Sequence, residues 1–219
     1  MRITLPSGTP AELARPSSGA EPSRGVVLIP DIGGLRPLFY DLAQRLADEN
    51  AWAVCAFELW PGREGLPLGE KLAAGGTLAD ERVLGDAAAA ADATGLDAVG
   101  VTGFCIGGHF TLKAAGSGRF VAAAAFYGMV RVPDQWRSDT LGEPLDALAR
   151  PDACPTLLIA GTADPWLPAD DVAAAEAAGV EVARYEGADH GFVHDPSRPA
   201  HRPDDAADAW RRVVARLSA

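Results

Sequence analysis

Three reactive side chains, Cys105, Asp164 and His190, occur in segments whose glycines predict sharp turns. Cys105 is the third residue of GFCIGG (103–108), which follows one apolar run and opens another with helix-forming residues. Flanking glycines permit a strained strand-to-helix turn, the context of a nucleophile elbow. The partial positive charge of a helix N-terminus favours a thiolate there. The segment therefore predicts a nucleophilic cysteine.

A carboxylate and an imidazole follow Cys105 in two later loops. Asp164 lies in AGTADP (160–165) and His190 in ADHGF (188–192), each after an apolar run. Because parallel strands end at one edge of a sheet, we expect the three side chains to meet there. A carboxylate orients a histidine, and the histidine activates the nucleophile. The order nucleophile, acid, histidine is that of α/β-hydrolases.

Each of these residues also has a structural explanation when it is taken alone. A single cysteine is usually a small buried hydrophobic residue, which is how we interpret Cys55 and Cys154. An aspartate after a strand is usually a turn residue or a helix cap. Three such residues in this order, each after its own strand, favour a catalytic interpretation.

The elements that must position these residues follow from the apolar pattern. Short apolar runs predict buried strands at Val26–Ile29, Trp52–Phe57, Leu96–Thr102, Val121–Tyr127, Thr156–Ala160 and Val180–Tyr185. Amphipathic spacing predicts helices between them, most clearly at Trp210, Val213, Val214 and Leu217. We therefore predict a single α/β domain over residues 1–219, with a mostly parallel central sheet and helices on both faces. Residues 1–24 are interpreted as an N-terminal lead and 58–80 as a variable loop over the site.

Composition narrows the function. The chain has 219 residues, 19 basic and 30 acidic, for a formal net charge of −11, which argues against a nucleic-acid partner. No apolar run is long enough to span a membrane, and the N-terminus has no signal-peptide core. Three widely spaced cysteines predict neither disulfides nor a zinc site, so we expect a cytoplasmic protein. We expect it to be a monomer or a homodimer.

The segments GFCIGG, GTADP and DHGF together resemble the dienelactone hydrolase family of α/β-hydrolases, from about Gly25 to the C-terminus. The resemblance implies that Cys105 is the nucleophile, His190 the general base and Asp164 its orienting acid. The intermediate would be a thioester acyl-enzyme. Its oxyanion needs two donors, which we expect to be the backbone N–H groups of Ile106 and Ile32.

Asp31 lies in the loop after the first predicted strand, and two interpretations remain open. In proteins that this chain resembles, a carboxylate in that loop contacts the resting thiol and is displaced by substrate. The usual residue is glutamate, so the shorter Asp31 makes it a candidate for gating the thiol. Alternatively, Asp31 caps the helix that begins near Leu35.

The resemblance weakens at the substrate pocket. The family pattern HSFxR has its arginine shortly after the histidine, whereas here the first arginine after His190 is Arg198. Arg82 is a loose match to a second family arginine, and a surface pair with an acidic neighbour explains it equally well. Further pocket candidates are Trp60, Phe104, Tyr127, Phe192 and His194. Core packing would explain the four aromatic residues equally well.

We therefore expect a hydrolase of small esters or enol lactones with an open site. No dinucleotide or P-loop motif is present, so no cofactor is expected. His190 and His194 are four residues apart, but Gly191 and Pro196 disfavour a helix there, so we expect no metal site. The alternatives are a general carboxylesterase of small esters, or a non-catalytic α/β-hydrolase scaffold that binds a small ligand.

Overall fold

The computed structural model describes residues 1–219, and its centre is one eight-stranded sheet. The strand order is β1-β2-β4-β3-β5-β6-β7-β8. β1 and β2 form an antiparallel hairpin, and β2 joins β4 antiparallel, whereas the six strands from β4 to β8 run parallel. The strands are β1 Arg2–Thr4, β2 Pro10–Ala14, β3 Arg24–Ile29, β4 Trp52–Phe57, β5 Val99–Phe104, β6 Ala122–Phe126, β7 Thr156–Gly161 and β8 Glu181–Tyr185.

Seven α-helices cover both faces of the sheet. They are α1 Pro37–Asn50, α2 Leu68–Ala73, α3 Asp80–Ala93, α4 Ile106–Ala115, α5 Pro144–Leu148, α6 Ala169–Ala177 and α7 Pro203–Ser218, with 3-10 turns at Gly75–Thr77 and Asp134–Trp136. α1 and α7 pack on one face, and α3 to α6 pack on the other. Val26 and Leu28 of β3 face the first layer while Val27 and Ile29 face the second, so the whole strand is apolar. This confirms the predicted single-domain α/β architecture.

The sequence interpretation was incomplete in two segments. The N-terminal lead contributes β1 and β2, of which β2 pairs with β4. β2 is short, begins with a proline and contains a glutamate, so its pattern gives little sign of a strand. Residues 58–80 are not wholly irregular, because they contain α2 and the first 3-10 turn.

None of the helices combines the length and the apolar character that a bilayer crossing requires.

Candidate active site

Cys105 lies between β5 and α4 in a strained backbone conformation, with φ 57° and ψ −118°. The glycines around it are required by close backbone contacts. A Cβ on Gly107 would lie 2.3 Å from the carbonyl oxygens of Ile29 and Pro30, and one on Gly103 would lie 2.5 Å from the Gly107 oxygen. The turn therefore holds α4 directly against the end of β3 and lifts the thiol above the carboxyl edge of the sheet.

The predicted acid and histidine are in contact. His190 Nδ1 and Asp164 Oδ2 are 2.8 Å apart, and the Asp164 side chain is fully buried. The other oxygen, Oδ1, accepts the Trp166 N–H at 2.8 Å, which fixes the carboxylate in its turn after β7. Gly161 lets the two loops approach, since a Cβ there would lie 2.3 Å from the Ala188 carbonyl oxygen.

The protonation of His190 depends on both neighbours. Burial opposes a positive charge, but hydrogen bonding and charge interactions with Asp164 and Cys105 outweigh it and raise the pKa of His190 to about 10. Nε2 of His190 is buried and makes no hydrogen bond of standard geometry. Catalytic hydrogen bonds are often loose before substrate binds, so the Cys105 thiol, which acts on this pKa, remains its natural partner.

Two backbone donors beside the thiol are unused. Ile106 is the first residue of α4, and its N–H has no acceptor in the protein. The N–H of Ile32, in the loop after β3, also has none. The carbonyl of the same residue accepts the indole N–H of Trp60 at 2.8 Å, which fixes the peptide at that point. Unpaired N–H groups at such positions suit an anionic oxygen.

Asp31 forms hydrogen bonds that neither of the two interpretations made from sequence includes. Its oxygens accept hydrogen bonds from the Gly33 N–H at 2.8 Å, from Arg36 at 2.5 and 2.9 Å and from His194 Nε2 at 2.9 Å. Burial alone would raise the pKa of Asp31, but the bonds from His194 and Arg36 hold it well below its usual range. No hydrogen bond joins Asp31 to Cys105, and the N-cap of α1 is Arg36, which has no side-chain cap. The helix cap is therefore wrong, and in this structure three donors other than the thiol occupy the carboxylate; the gating role of Asp31 stays a prediction.

A cavity of about 550 Å³ opens beside Cys105 and His190. Its cationic groups are Arg36, Lys71 and Arg198, against the two carboxylates of Asp31 and Asp195, so the lining is positive in a protein of negative charge. Its apolar wall is formed by Ile32, Leu66, Leu68, Leu72, Trp136 and Trp166.

The cations of this lining differ in their pairing. Arg36 is paired with Asp31, and Lys71 donates at 2.8 Å to the carbonyls of Gly33 and Glu64. The exposed Arg198 guanidinium has no hydrogen bond or ion pair within the protein. It is the cation of the lining that is free to meet a ligand.

Sequence analysis predicts six pocket candidates, and none of them contributes to the lining of this cavity. Each of the six side chains makes other contacts. Trp60 holds the Ile32 peptide, and Arg82 pairs with Asp86 at 3.0 Å and lines a different cavity. Phe104 is fully buried and stacks on Phe126 at 4.5 Å, because its side chain points under the sheet edge toward α7.

The other three candidates lie in the layer beneath the thiol. Phe192 is buried against Tyr185 at 5.2 Å. Tyr127 hydrogen-bonds His194, and both are buried. Proximity to His190 along the chain did not bring Phe192 or His194 to the cavity surface.

Sequence reasoning missed the residues that form the cavity instead. Trp166 lies two residues after Asp164, so its place beside a predicted acid was a usable signal. Trp136 stacks on Trp166 with ring centroids 5.6 Å apart and donates its indole N–H to the Leu72 carbonyl. Lys71 gave no signal, because only the tertiary structure brings α2 next to the loop after β3.

Comparisons with known proteins find relatives that match most of this chain. The family model described as the dienelactone hydrolase family matches residues 10–219. A Bradyrhizobium protein, provisionally named a 2-oxo-3-(5-oxofuran-2-ylidene)propanoate lactonase, is 33% identical over 93% of this chain and 86% of its own length. A Synechocystis protein, provisionally named a carboxymethylenebutenolidase, is 31% identical over 86% of this chain and 82% of its own length.

A solved structure extends the likeness to the whole fold. The crystal structure of a Klebsiella pneumoniae protein, provisionally titled a dienelactone hydrolase, covers 100% of this chain with 97% of its own. Its TM-score is 0.85 and its sequence identity 29%. The named relatives are hydrolases, so the chain is a hydrolase of the same kind. By its family match over most of its length, the chain belongs to the dienelactone hydrolase family.

Proposed function

We propose that this protein hydrolyses small lactones or esters through a Cys105–His190–Asp164 triad and a thioester intermediate. The observation that supports this most strongly is the 2.8 Å contact between Asp164 and His190 beside the strained Cys105. Asp164 holds the imidazole in one orientation, and the unused N–H groups of Ile32 and Ile106 supply an oxyanion site.

In the acylation step the Cys105 thiolate attacks the substrate carbonyl carbon, with its proton held on His190. The new C–S bond forms while the carbonyl electron pair moves to oxygen, where the two backbone N–H groups stabilise it. Collapse of this intermediate breaks the acyl C–O bond, and His190 donates its proton to the leaving oxygen. In a lactone the leaving oxygen remains tethered to the acyl group.

Deacylation uses the same groups in reverse. Water attacks the thioester carbon while His190 takes one of its protons, and the oxyanion forms again beside Ile32 and Ile106. The C–S bond then breaks, which releases the carboxylic acid and restores the thiol–imidazole pair. One water is consumed and no other reactant is needed.

The cavity further supports a substrate that carries a carboxylate. Arg198 is its unpaired cation, and a guanidinium binds a carboxylate well. Trp166, in the same lining, offers a flat apolar face next to His190. The name of the Bradyrhizobium relative describes a propanoate, an anion with a planar lactone ring. We therefore place the carboxylate of an unsaturated lactone at Arg198.

The nucleophile is tested by hydrolysis of cis- and trans-dienelactone and of p-nitrophenyl acetate. Cys105→Ala should abolish turnover of every substrate that the wild type cleaves, whereas Cys154→Ala, at a half-buried cysteine outside the site, should not. Mass spectrometry of the acid-quenched wild type should find the acyl group on Cys105, removable by neutral hydroxylamine. An active Cys105→Ala protein, or an acyl group on another residue, would contradict the triad.

The anionic substrate is tested separately with Arg198→Ala. Loss of a charge-assisted hydrogen bond should lower kcat/KM for an anionic lactone about tenfold, roughly 1.4 kcal/mol, and leave p-nitrophenyl acetate unaffected. Arg150→Ala is the matched control, because Arg150 is an exposed arginine paired with Asp152 outside this cavity. An equal loss on the neutral and the anionic substrate would instead favour a general carboxylesterase. If no tested substrate is cleaved, the non-catalytic scaffold becomes the better interpretation.

A further inference from the structure

A buried chain of side chains links three loops of the site, and the proposed chemistry uses none of its members directly. The Tyr127 hydroxyl hydrogen-bonds His194 Nδ1, and His194 Nε2 lies 2.9 Å from Asp31 Oδ2. The three residues lie in separate loops, after β6, β8 and β3 respectively. The His194 side chain is fully buried and packs against Phe39 and Phe104, with ring centroids 5.9 and 4.6 Å away.

The hydrogen bonds determine how His194 is protonated. Asp31 also accepts from Arg36 and Gly33, so its carboxylate is ionised and the proton between it and His194 lies on Nε2. Nδ1 then has a free lone pair, which accepts a hydrogen bond from the Tyr127 hydroxyl. A neutral imidazole satisfies both partners, and burial together with the nearby cations Arg36 and Arg198 lowers the pKa of His194, which agrees with that form.

Asp31 in turn shapes the loop that carries the Ile32 N–H. Its side chain accepts the Gly33 N–H at 2.8 Å and its carbonyl accepts the Gly34 N–H at 2.9 Å, so the turn closes on Asp31 from both sides. Ile32 lies inside this turn. These two bonds hold the turn closed, so loss of the side-chain bond would loosen the loop that directs the Ile32 N–H toward the developing oxyanion.

We propose that His194 is a positioning residue: as a neutral imidazole protonated on Nε2, it fixes the Asp31 carboxylate in its loop and so aims the Ile32 N–H at the oxyanion. The inference rests on the proposed function of this site. It assigns Asp31 a fixed structural role in the oxyanion loop instead of a contact with the resting thiol. Tyr127 completes the arrangement by fixing the far side of the imidazole.

Two substitutions of His194 that differ by one methylene distinguish a role in positioning Asp31 from a general contribution to protein stability. In His194→Gln the amide nitrogen can reach the position of Nε2 and donate to Asp31, so most of the activity should remain. In His194→Asn the shorter amide reaches only the position of Nδ1, so Asp31 loses its donor. Removing one oxyanion donor typically costs a hundredfold or more in kcat, and we expect a loss of up to about 100-fold in kcat for p-nitrophenyl acetate with KM little changed.

A second reaction of the same thiol provides the internal control. Alkylation of Cys105 by iodoacetamide needs the thiolate but no oxyanion site, so its rate should stay within about twofold of wild type in both variants. Asp31→Asn should likewise lose hydrolysis while its alkylation rate is retained. It replaces His194→Asn in the experiment if that variant does not fold. Equal hydrolysis by the Gln and Asn variants, or alkylation that slows in parallel with hydrolysis, would overturn the positioning role. A failure of the triad itself is distinguishable, because alkylated wild type would then still hydrolyse the ester.

Discussion

Gly107→Ala tests whether the close contact between α4 and the end of β3 organises the site. The added Cβ would lie 2.3 Å from the oxygens of both Ile29 and Pro30, whereas ordinary contacts begin near 3.4 Å. Relief of this clash requires a movement of roughly 1 Å between the elbow and the β3 loop. These two segments carry the Ile106 and Ile32 N–H groups, so the movement would separate the two oxyanion donors.

A misplacement of about 1 Å at reacting groups can cost 100-fold in rate, and we expect at least that loss in kcat for Gly107→Ala. Overpacking should also lower the free energy of unfolding by about 1–3 kcal/mol, which corresponds to a decrease of several degrees in Tm. The assays are p-nitrophenyl acetate hydrolysis and thermal unfolding followed by circular dichroism.

Gly85→Ala is the matched control within a helix. A Cβ at Gly85, inside α3, meets nothing within 4 Å, so alanine should stabilise the protein by about 0.5–1 kcal/mol and leave kcat unchanged. Wild-type activity and Tm in Gly107→Ala would refute the reasoning, since they would show that the elbow tolerates a side chain where the structure has none.

Three further predictions concern the thiol, the acid and the wall of the cavity. Cys105→Ser should fold normally but lose at least 100-fold in rate, roughly 3 kcal/mol in the barrier, and near-wild-type turnover would show that the site is not specific for a thiolate. Asp164→Asn removes the part of the raised pKa of His190 that comes from Asp164, and with it part of the stabilisation. That stabilisation is complete below about pH 6.5 and disappears as pH rises through about 10, so the difference in free energy of unfolding between wild type and variant should narrow over this interval, from up to a few kcal/mol. A gap that widens with pH in urea titrations would contradict the assigned His190–Asp164 pair. Lys71→Met leaves two carbonyls without their donor and should lower the free energy of unfolding by about 1–3 kcal/mol. KM should also rise, because α2 lines the cavity. An unchanged KM would argue against α2 as a substrate wall.

The strands and the turn at Cys105 could be predicted from the residues of the chain. The apolar runs of β3 to β8 and the glycines around Cys105 depend on local sterics and on burial of both faces, so they predicted the parallel sheet and the elbow correctly. The same logic placed Asp164 and His190 after neighbouring strands, where a shared sheet edge brings them together. β2 lacked such a pattern, because its strand state depends on pairing with β4 and not on its own side chains.

The identity of the cavity walls depends on contacts between distant segments. Arg82, Trp60 and His194 have residue types that suit a pocket, but each side chain is held by a partner far away in the sequence: the Leu59 carbonyl, the Ile32 carbonyl and the Asp31 carboxylate, respectively. Asp31 was expected to face the thiol or a helix end, and only the folded chain shows three donors surrounding it. A periodic pattern reports which face of an element is buried, whereas the partner of a polar side chain is decided by which loops meet at the edge of the sheet. For this protein the residues alone therefore indicated the fold and the candidate reactive groups, and the tertiary structure decided what surrounds them.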